Sequence, residues 1–372
     1  MTCFGDTYRG RRVLVTGHTG FKGSWLAEWL LALGAKVSGF ALPPPTQPAL
    51  FTQLDLARRL QHREADIGDL SAVRAAVDAG QPDFVFHLAA QPLVRLSYRQ
   101  PVETYRTNVL GTAHVLEAVR LAARPCTVIC ITTDKAYENR EWLHAYREED
   151  PMGGHDPYSS SKGAAELVIS AYRRSFFSAS DSPIRLASAR AGNVIGGGDW
   201  AEDRIVPDCV RSLQRGEPIR VRNPQATRPW QHVLEPLSGY LALGAALDQA
   251  ARQPDLPRLT QLAGALNFGP PLGSNRPVRD LVAEALRHWP GTWADQAEAG
   301  AVHEASLLNL ATDKAHHLLG WHAVWDFAAT LAETIRWYRH QHQHPAQAGQ
   351  LTRQQIQLYC QQAAHQGLAW AR

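Results

Sequence analysis

Along the first half of the chain, short apolar runs alternate with longer stretches in which apolar residues return every three to four positions. RVLVTG (12–17) has the length and density of a buried strand, and a helix is predicted from about 22 to 33. AKVSGF (35–40) and READI (63–67) predict a second and a third strand, after which a helix opens at Asp69. DFVFHLAA (83–90), CTVICITT (126–133) and IRLASARA (184–191) predict three more strands, with helices over 101–123 and 157–176 between them. Strands apolar at nearly every position are covered on both faces, and regular strand–helix alternation keeps them parallel. The pattern therefore predicts an α/β chain built on a doubly wound parallel sheet.

From residue 192 the pattern changes. GNVIGGGDWAEDRIVPD (192–208) is rich in glycine and charge, as a ligand-facing loop would be, and short elements with many Trp and Pro follow. They predict a smaller, mixed α/β C-terminal substrate lobe. The expected division is a dinucleotide-binding domain over 1–191 with a return segment at about 232–266, and a lobe over 192–231 and 267–340. A C-terminal linker and helix complete it over 341–372. His340, His342 and His344 alternate in HQHQHPAQAGQ, but two-residue spacing in a polar run gives no fixed chelating geometry, so a solvated linker and no metal site is expected. A last helix is predicted to start at Thr352, with Gln355 completing a capping box.

Composition narrows the class without changing this picture. With 45% hydrophobic and 20% charged residues the chain has material for a large core and no mark of disorder. A net charge of +3 with no run of like charges argues against nucleic acid or an anionic membrane as partner. The five cysteines form no CxxC pair and read as reduced thiols, Cys126 and Cys130 as core residues of one strand. With no apolar run long enough for a membrane span and no signal-like start, a soluble, cytoplasmic protein is expected.

The first candidate chemistry is TGHTGFKG, which puts Gly17, Gly20 and Gly23 between the first strand and the first helix. Glycines there let the backbone approach a pyrophosphate, whose charge then rests on the helix N-terminus. The carboxylate that would hold a ribose is missing from the end of strand two, GFALPPPTQPALFTQL, and no Arg stands there for a 2′-phosphate, so NAD and NADP are not told apart. Asp66 and Ile67 offer a carboxylate and an apolar surface suited to an adenine; they are equally a plain strand end before a cap at Asp69.

The second is YSSSK, with Tyr158 and Lys162 on one helix face, and the third is Thr133-Asp134-Lys135 at the end of strand five. Both belong above the carboxyl edge of the sheet, where such folds bind ligands. An alcohol oxidised by hydride transfer must also lose its proton. A phenol of pKa about 10 becomes a useful base only beside positive charge, which Lys162 and a nicotinamide would supply.

TGxxGxxG, HLAAQ, Asn108 in YRTNVLGT and YxxxK, in this order over residues 11–235, resemble the extended short-chain dehydrogenase/reductase superfamily. GHTGFKGSWL, TTDKAYEN, GNVIGGGDWAEDRIVPD and RPWQHVLEPLSGYL are similar to its sugar-nucleotide 4,6-dehydratases. The resemblance implies a Rossmann-type domain with NAD on Gly17, Gly20, Phe21, Gly23, Asp66, Ile67, Leu88, Ala89, Ala90, Asn108, Tyr158 and Lys162. It implies catalysis by Thr133, Asp134, Lys135, Tyr158 and Lys162, with Lys135 where the dTDP-glucose enzymes carry Glu. It also implies a nucleotide sugar, CDP-glucose, as substrate, with Asn193, Arg204 and Arg228 binding it, and a homodimer or dimer of dimers paired through helices 101–123 and 157–176. Trp230 and His232 read as packing residues. A 4-epimerase would share the glycines and Tyr158–Lys162 without needing Asp134 and Lys135; a nucleotide-sensing scaffold would not need an intact set.

Overall fold

The computed structural model describes residues 3–178, 182–253, 255–296 and 308–372. Strands β1 (Arg12–Thr16), β2 (Lys36–Ala41), β3 (Gln61–Glu64), β4 (Phe84–His87), β5 (Cys126–Thr133) and β6 (Ile184–Ala191) join the later strand Ala265–Phe268 in one seven-stranded sheet. The order from one edge is 265–268, β6, β5, β4, β1, β2, β3, and every pairing is parallel. Neighbours β1 and β4 are not consecutive in the chain, so the strand order reverses between them and opens a crevice at their carboxyl ends.

The sheet is covered on both faces because its strands alternate between two cores. Val13, Val15, Phe84, Phe86, Ile129 and Ile131 face one, shared with Trp25, Trp29 and the long buried helix Leu234–Arg252. Leu14, Val85, Val128, Leu186 and both Cys126 and Cys130 face the other, against helices Leu70–Gly80, Gly111–Ala122 and Pro157–Ser175. All five cysteines are buried and none forms a disulfide.

Three local expectations are corrected. The third strand ends at Glu64 rather than at residue 67, because Asp66 turns the chain by accepting from the Gly68 N–H at 2.7 Å. The helix expected over 101–123 is broken by a π-turn at Arg106–Leu110, which contains Asn108. The polar run after residue 340 is no linker. Helix Phe327–Gln343 passes through one 3₁₀ turn, Pro345–Gln347, directly into helix Ala348–His365. Thr352 and Gln355 therefore lie inside that helix: Thr352 Oγ1 accepts from Trp337 Nε1, and Gln355 Nε2 donates to Glu333 O. Buried polar partners, not a helix start, account for both. The tail closes over the N-terminus, where Phe4 stacks on Trp370 at 5.1 Å. Beside the sheet, strands Ile219–Val221 and Trp293–Asp295 pair, as do Thr227–Pro229 and Asn275–Pro277.

Candidate active site

The turn after β1 is shaped by two close approaches. Gly17 has φ +75°, and a Cβ there would lie 2.7 Å from Ala89 N; a Cβ on Gly23 would lie 2.1 Å from Gly17 O. Only hydrogen fits at either place, so turn, helix and β4 close up together. Gly20 caps helix Phe21–Ala32 without a side-chain hydrogen bond, leaving N–H groups free for an anion. Phe21 packs toward Gly196 in the glycine-rich loop. Leu88 and Ala89 are tied to Thr16, the former to its carbonyl and the latter to its hydroxyl, and with Ala90 they wall the crevice.

Several residues expected at the cofactor are placed otherwise. Asn108 is hydrogen-bonded within the fold: Oδ1 accepts from Gln91 N, and Nδ2 donates to Gln91 O and Ser161 Oγ. It holds the HLAAQ loop against the Tyr158 helix. Ile67 is buried in the core against Gly111, so it is no open shelf. Asp66 is half-exposed and paired with Arg106 at 3.1 Å. The ring of His18 takes the space over Gly39 in β2, and its Nε2 lies 2.7 Å from His62 Nδ1.

At the end of β5 the chain turns into the 3₁₀ segment Asp134–Ala136, with Thr133 Oγ1 accepting from Lys135 N. The same hydroxyl donates to Asp134 Oδ1 at 2.9 Å and stands beside the Tyr158 phenol. Burial pushes the Asp134 carboxyl up, against Lys135, Thr133 and Arg228, which pull it down. Burial also raises Tyr158 to about 12, opposed by Thr133 and, more weakly, Arg204. Lys162 Nζ donates to Ile131 O at 3.4 Å, and burial lowers it to about 8. The helix sets the two residues on one face, but the Lys stem turns inward toward β5. Lys135 is half-buried on its turn.

The expected substrate residues surround this point. Arg204 Nη1 donates to Asp199 Oδ2 at 2.7 Å, close enough to Tyr158 to act on it. Arg228 lies on the strand Thr227–Pro229, near Asp134. Asn193 gives its carbonyl to Gln231 N. A cavity of about 220 Å³ opens beyond Gly192 and Pro229 toward Asn309 and Thr312.

Two residues of the cleft escaped the sequence reading. Lys22 Nζ donates to Tyr240 OH at 3.0 Å, and burial, with Lys162 and Arg204 nearby, lowers it to about 7. A signal was available: only five of the 38 basic residues are lysines, and Lys22, Lys135 and Lys162 meet here. Trp230 and His232 are packing residues; Trp230 donates to Arg276 O, and His232 lies between Trp25 and Trp325. Among the described residues no cluster of three or more His, Cys, Asp or Glu is arranged to hold a metal.

A doubly wound sheet with a glycine turn at its switch point, and a Tyr, a Lys and a buried acid converging above it, defines an enzyme of the extended short-chain dehydrogenase/reductase class. The GDP-mannose 4,6 dehydratase family model matches residues 14–246, and the chain belongs to that family. It is 47% identical over 337 residues to the CDP-glucose 4,6-dehydratase of Salmonella typhimurium, covering 89% of this chain and 91% of that one. Its fold is shared with DesIV, the dTDP-glucose 4,6-dehydratase of Streptomyces venezuelae solved with NAD and TYD bound: TM-score 0.73, 24% identity, 90% of this chain and 99% of that one. MoeE5 in complex with UDP-glucose and NAD aligns with TM-score 0.72 at 25% identity, over 88% and 98% of the two chains.

Proposed function

We propose that the chain is a CDP-glucose 4,6-dehydratase, an NAD-dependent hydro-lyase that makes CDP-4-keto-6-deoxyglucose. The observation that carries this reading is the buried Asp134 with Lys135 next to it, beside Tyr158, in a chain 47% identical along most of its length to an enzyme of that name. The glycine turn and uncapped helix start fit a dinucleotide pyrophosphate, since a side chain at Gly17 or Gly23 would fill the turn. Bound there, NAD would accept the C4 hydride and later return it to C6.

Tyr158 takes the 4-hydroxyl proton, with Thr133 hydrogen-bonded to the same oxygen. A phenol at about 12 is a poor base until positive charge joins it, so Tyr158 is activated only in the loaded site. Lys162 holds the cofactor side of the cleft. The ketone at C4 makes the C5 proton acidic; Lys135 removes it or steadies the enolate. Asp134, whose carboxyl burial pushes up toward holding a proton, gives a proton to the departing 6-hydroxyl. Water leaves, and a hydride returned to C6 with a proton returned to C5 from Lys135 would complete the product. Arg228 and Arg204 flank the path for the diphosphate, Arg204 by exchanging its partner Asp199. Asn193 lines the same side. A 4-epimerase would have no use for an acid buried at this point.

The domain division given above stands as part of this reading, with residues 341–372 helical rather than a linker. Val102, Leu110, Leu167 and Phe176 are exposed on and beside the Tyr158 helix, which favours a homodimer through that face. Five buried cysteines without a disulfide favour the cytoplasm. The test is to incubate protein, NAD and C4-deuterated CDP-glucose, with dTDP-, UDP- and GDP-glucose alongside. Deuterium at C6 of a 4-keto-6-deoxy product, from CDP-glucose above all, is the expected result. Label retained at C4 of an inverted sugar would overturn the reading.

A further inference from the structure

One buried cluster of charge takes no direct part in this chemistry. Glu166 lies one helical turn past Lys162 and two past Tyr158, on the same face of helix Pro157–Ser175. Its side chain is 5% exposed, as is that of its partner Arg190 at 6%. Glu166 Oε1 accepts from Thr132 Oγ1 at 2.5 Å and Arg190 Nε at 3.0 Å; Oε2 accepts from Ser188 Oγ at 2.8 Å and Arg190 Nη2 at 3.0 Å. Arg190 Nη1 donates in turn to Tyr137 OH and to Glu148 O, and Tyr137 OH donates to Asn267 Oδ1. The network thus ties the Tyr158 helix to β5 one residue before Thr133. It also ties the helix to β6, to the chain leaving Asp134–Ala136, and to the strand Ala265–Phe268.

Stability alone does not account for such a pair. Two apolar side chains of similar volume would fill this site at no greater desolvation cost. What apolar packing lacks is direction, whereas a bidentate guanidinium–carboxylate pair with two hydroxyl donors fixes a helix against two strands in one register. We propose that Glu166 and Arg190 are positioning residues for catalysis, clamping the helix that carries Tyr158 and Lys162 to the strand end that carries Thr133, Asp134 and Lys135. The Glu166 carboxylate is also one of the charges facing Lys162. The others are Lys22 from the first helix, His87 from β4 and the Cys130 thiol from β5. Glu166 favours the ammonium form, and Lys22 opposes it.

The inference rests on the proposed dehydratase reading, and its test separates the two. Glu166→Met/Arg190→Met replaces the pair by apolar volume, and Glu166→Gln is the conservative companion, assayed where circular dichroism shows it folded. In the double variant the thermal midpoint should stay within a few degrees of wild type. In both variants kcat with CDP-glucose should fall about 10- to 100-fold with KM changed less than about threefold, since a misplaced catalytic pair loses rate rather than binding. With five lysines in the chain, Lys162 can be followed by carbon NMR of lysine-labelled protein, assigned with K162R. Removing the carboxylate should move its titration to lower pH. A kcat within twofold of wild type, with the Lys162 titration unmoved, would overturn the clamp. A wild-type protein that leaves CDP-glucose unchanged would overturn the dehydratase reading, and the Lys162 titration would still decide the clamp.

Discussion

Asp134 and Glu166 are both fully buried carboxylates at the junction of β5 and the Tyr158 helix, yet their surroundings push them in opposite directions. Burial raises both. At Asp134 it prevails, because Lys135 and Arg228 stand nearby without closing an ion pair on it. At Glu166 the Arg190 guanidinium and the Thr132 and Ser188 hydroxyls outweigh burial and hold the group below its usual value. One acid is moved toward holding a proton it can give away; the other is held toward its charged form as a fixed anchor. The lesson is that burial states only what ionisation costs, and the partners decide whether the group reacts or holds.

The largest effect that would break this contrast is on turnover. Tyr158→Phe and Asp134→Asn should each lower kcat by about 10² to 10⁴, as loss of a proton-transferring group does. Asp134→Asn should still release some C4-oxidised, undehydrated sugar. Deuterium distribution in quenched reactions checks this, and an Asp134→Asn enzyme with near-normal dehydration would remove its role as acid.

Stability should move the other way. Glu166→Gln strands the Arg190 charge and should cost about 3–5 kcal/mol in urea unfolding, whereas Asp134→Asn, which removes a reluctantly ionised group, should cost under about 1 kcal/mol. Equal losses would erase the distinction.

A third buried carboxylate sharpens it through pH. Glu235 accepts from Val324 N, Trp325 N and Tyr359 OH but has no cation, and burial raises it to about 7. Its proton stays on in the fold while the unfolded chain releases it, so stability is lost as pH rises from about 4.5 to 7. His18, His87 and His232, lowered by burial to about 4, about 3 and about 3, act oppositely. Their contribution is present above 6.5 and lost as pH falls toward 4. Three imidazoles outweigh one carboxyl, so the summed contribution of these four groups should rise from pH 4 to 6.5, and Lys22 and Lys162, lowered to about 7 and about 8, should carry the rise on above pH 7. Glu235→Gln should steepen that rise by about 3 kcal/mol between pH 4.5 and 7, read from unfolding curves at each pH.

The smallest effect is the control. Arg95 pairs with Asp203 at 3.1 Å, but both side chains are nearly half exposed. Arg95→Ala should change stability by about 0.2–1 kcal/mol, diminishing with salt. A larger loss would mean that pairing alone, without burial, carries the strength assigned to Glu166 and Arg190.

The sequence by itself determined the sheet, because a strand buried on both faces must be apolar throughout, and that periodicity survives in one dimension. It determined the glycine turn too, since only Gly tolerates the φ at residue 17 and the contact at residue 23. The Tyr158–Lys162 spacing and the Thr133-Asp134-Lys135 stretch were likewise visible, being local. What tertiary structure decided is where the polar ends of those side chains go. Lys162 turns to Ile131 rather than to the phenol, Asn108 spends its groups on Gln91 and Ser161, and Thr352 and Gln355 bond inside a helix. Lys22 meets Tyr240 across 218 residues, and Glu166 meets Arg190 across 24. Such partners are brought together by crossings between distant strands and helices. No local pattern of apolar and polar residues encodes them, because each end alone looks like an ordinary charge on an ordinary helix or strand.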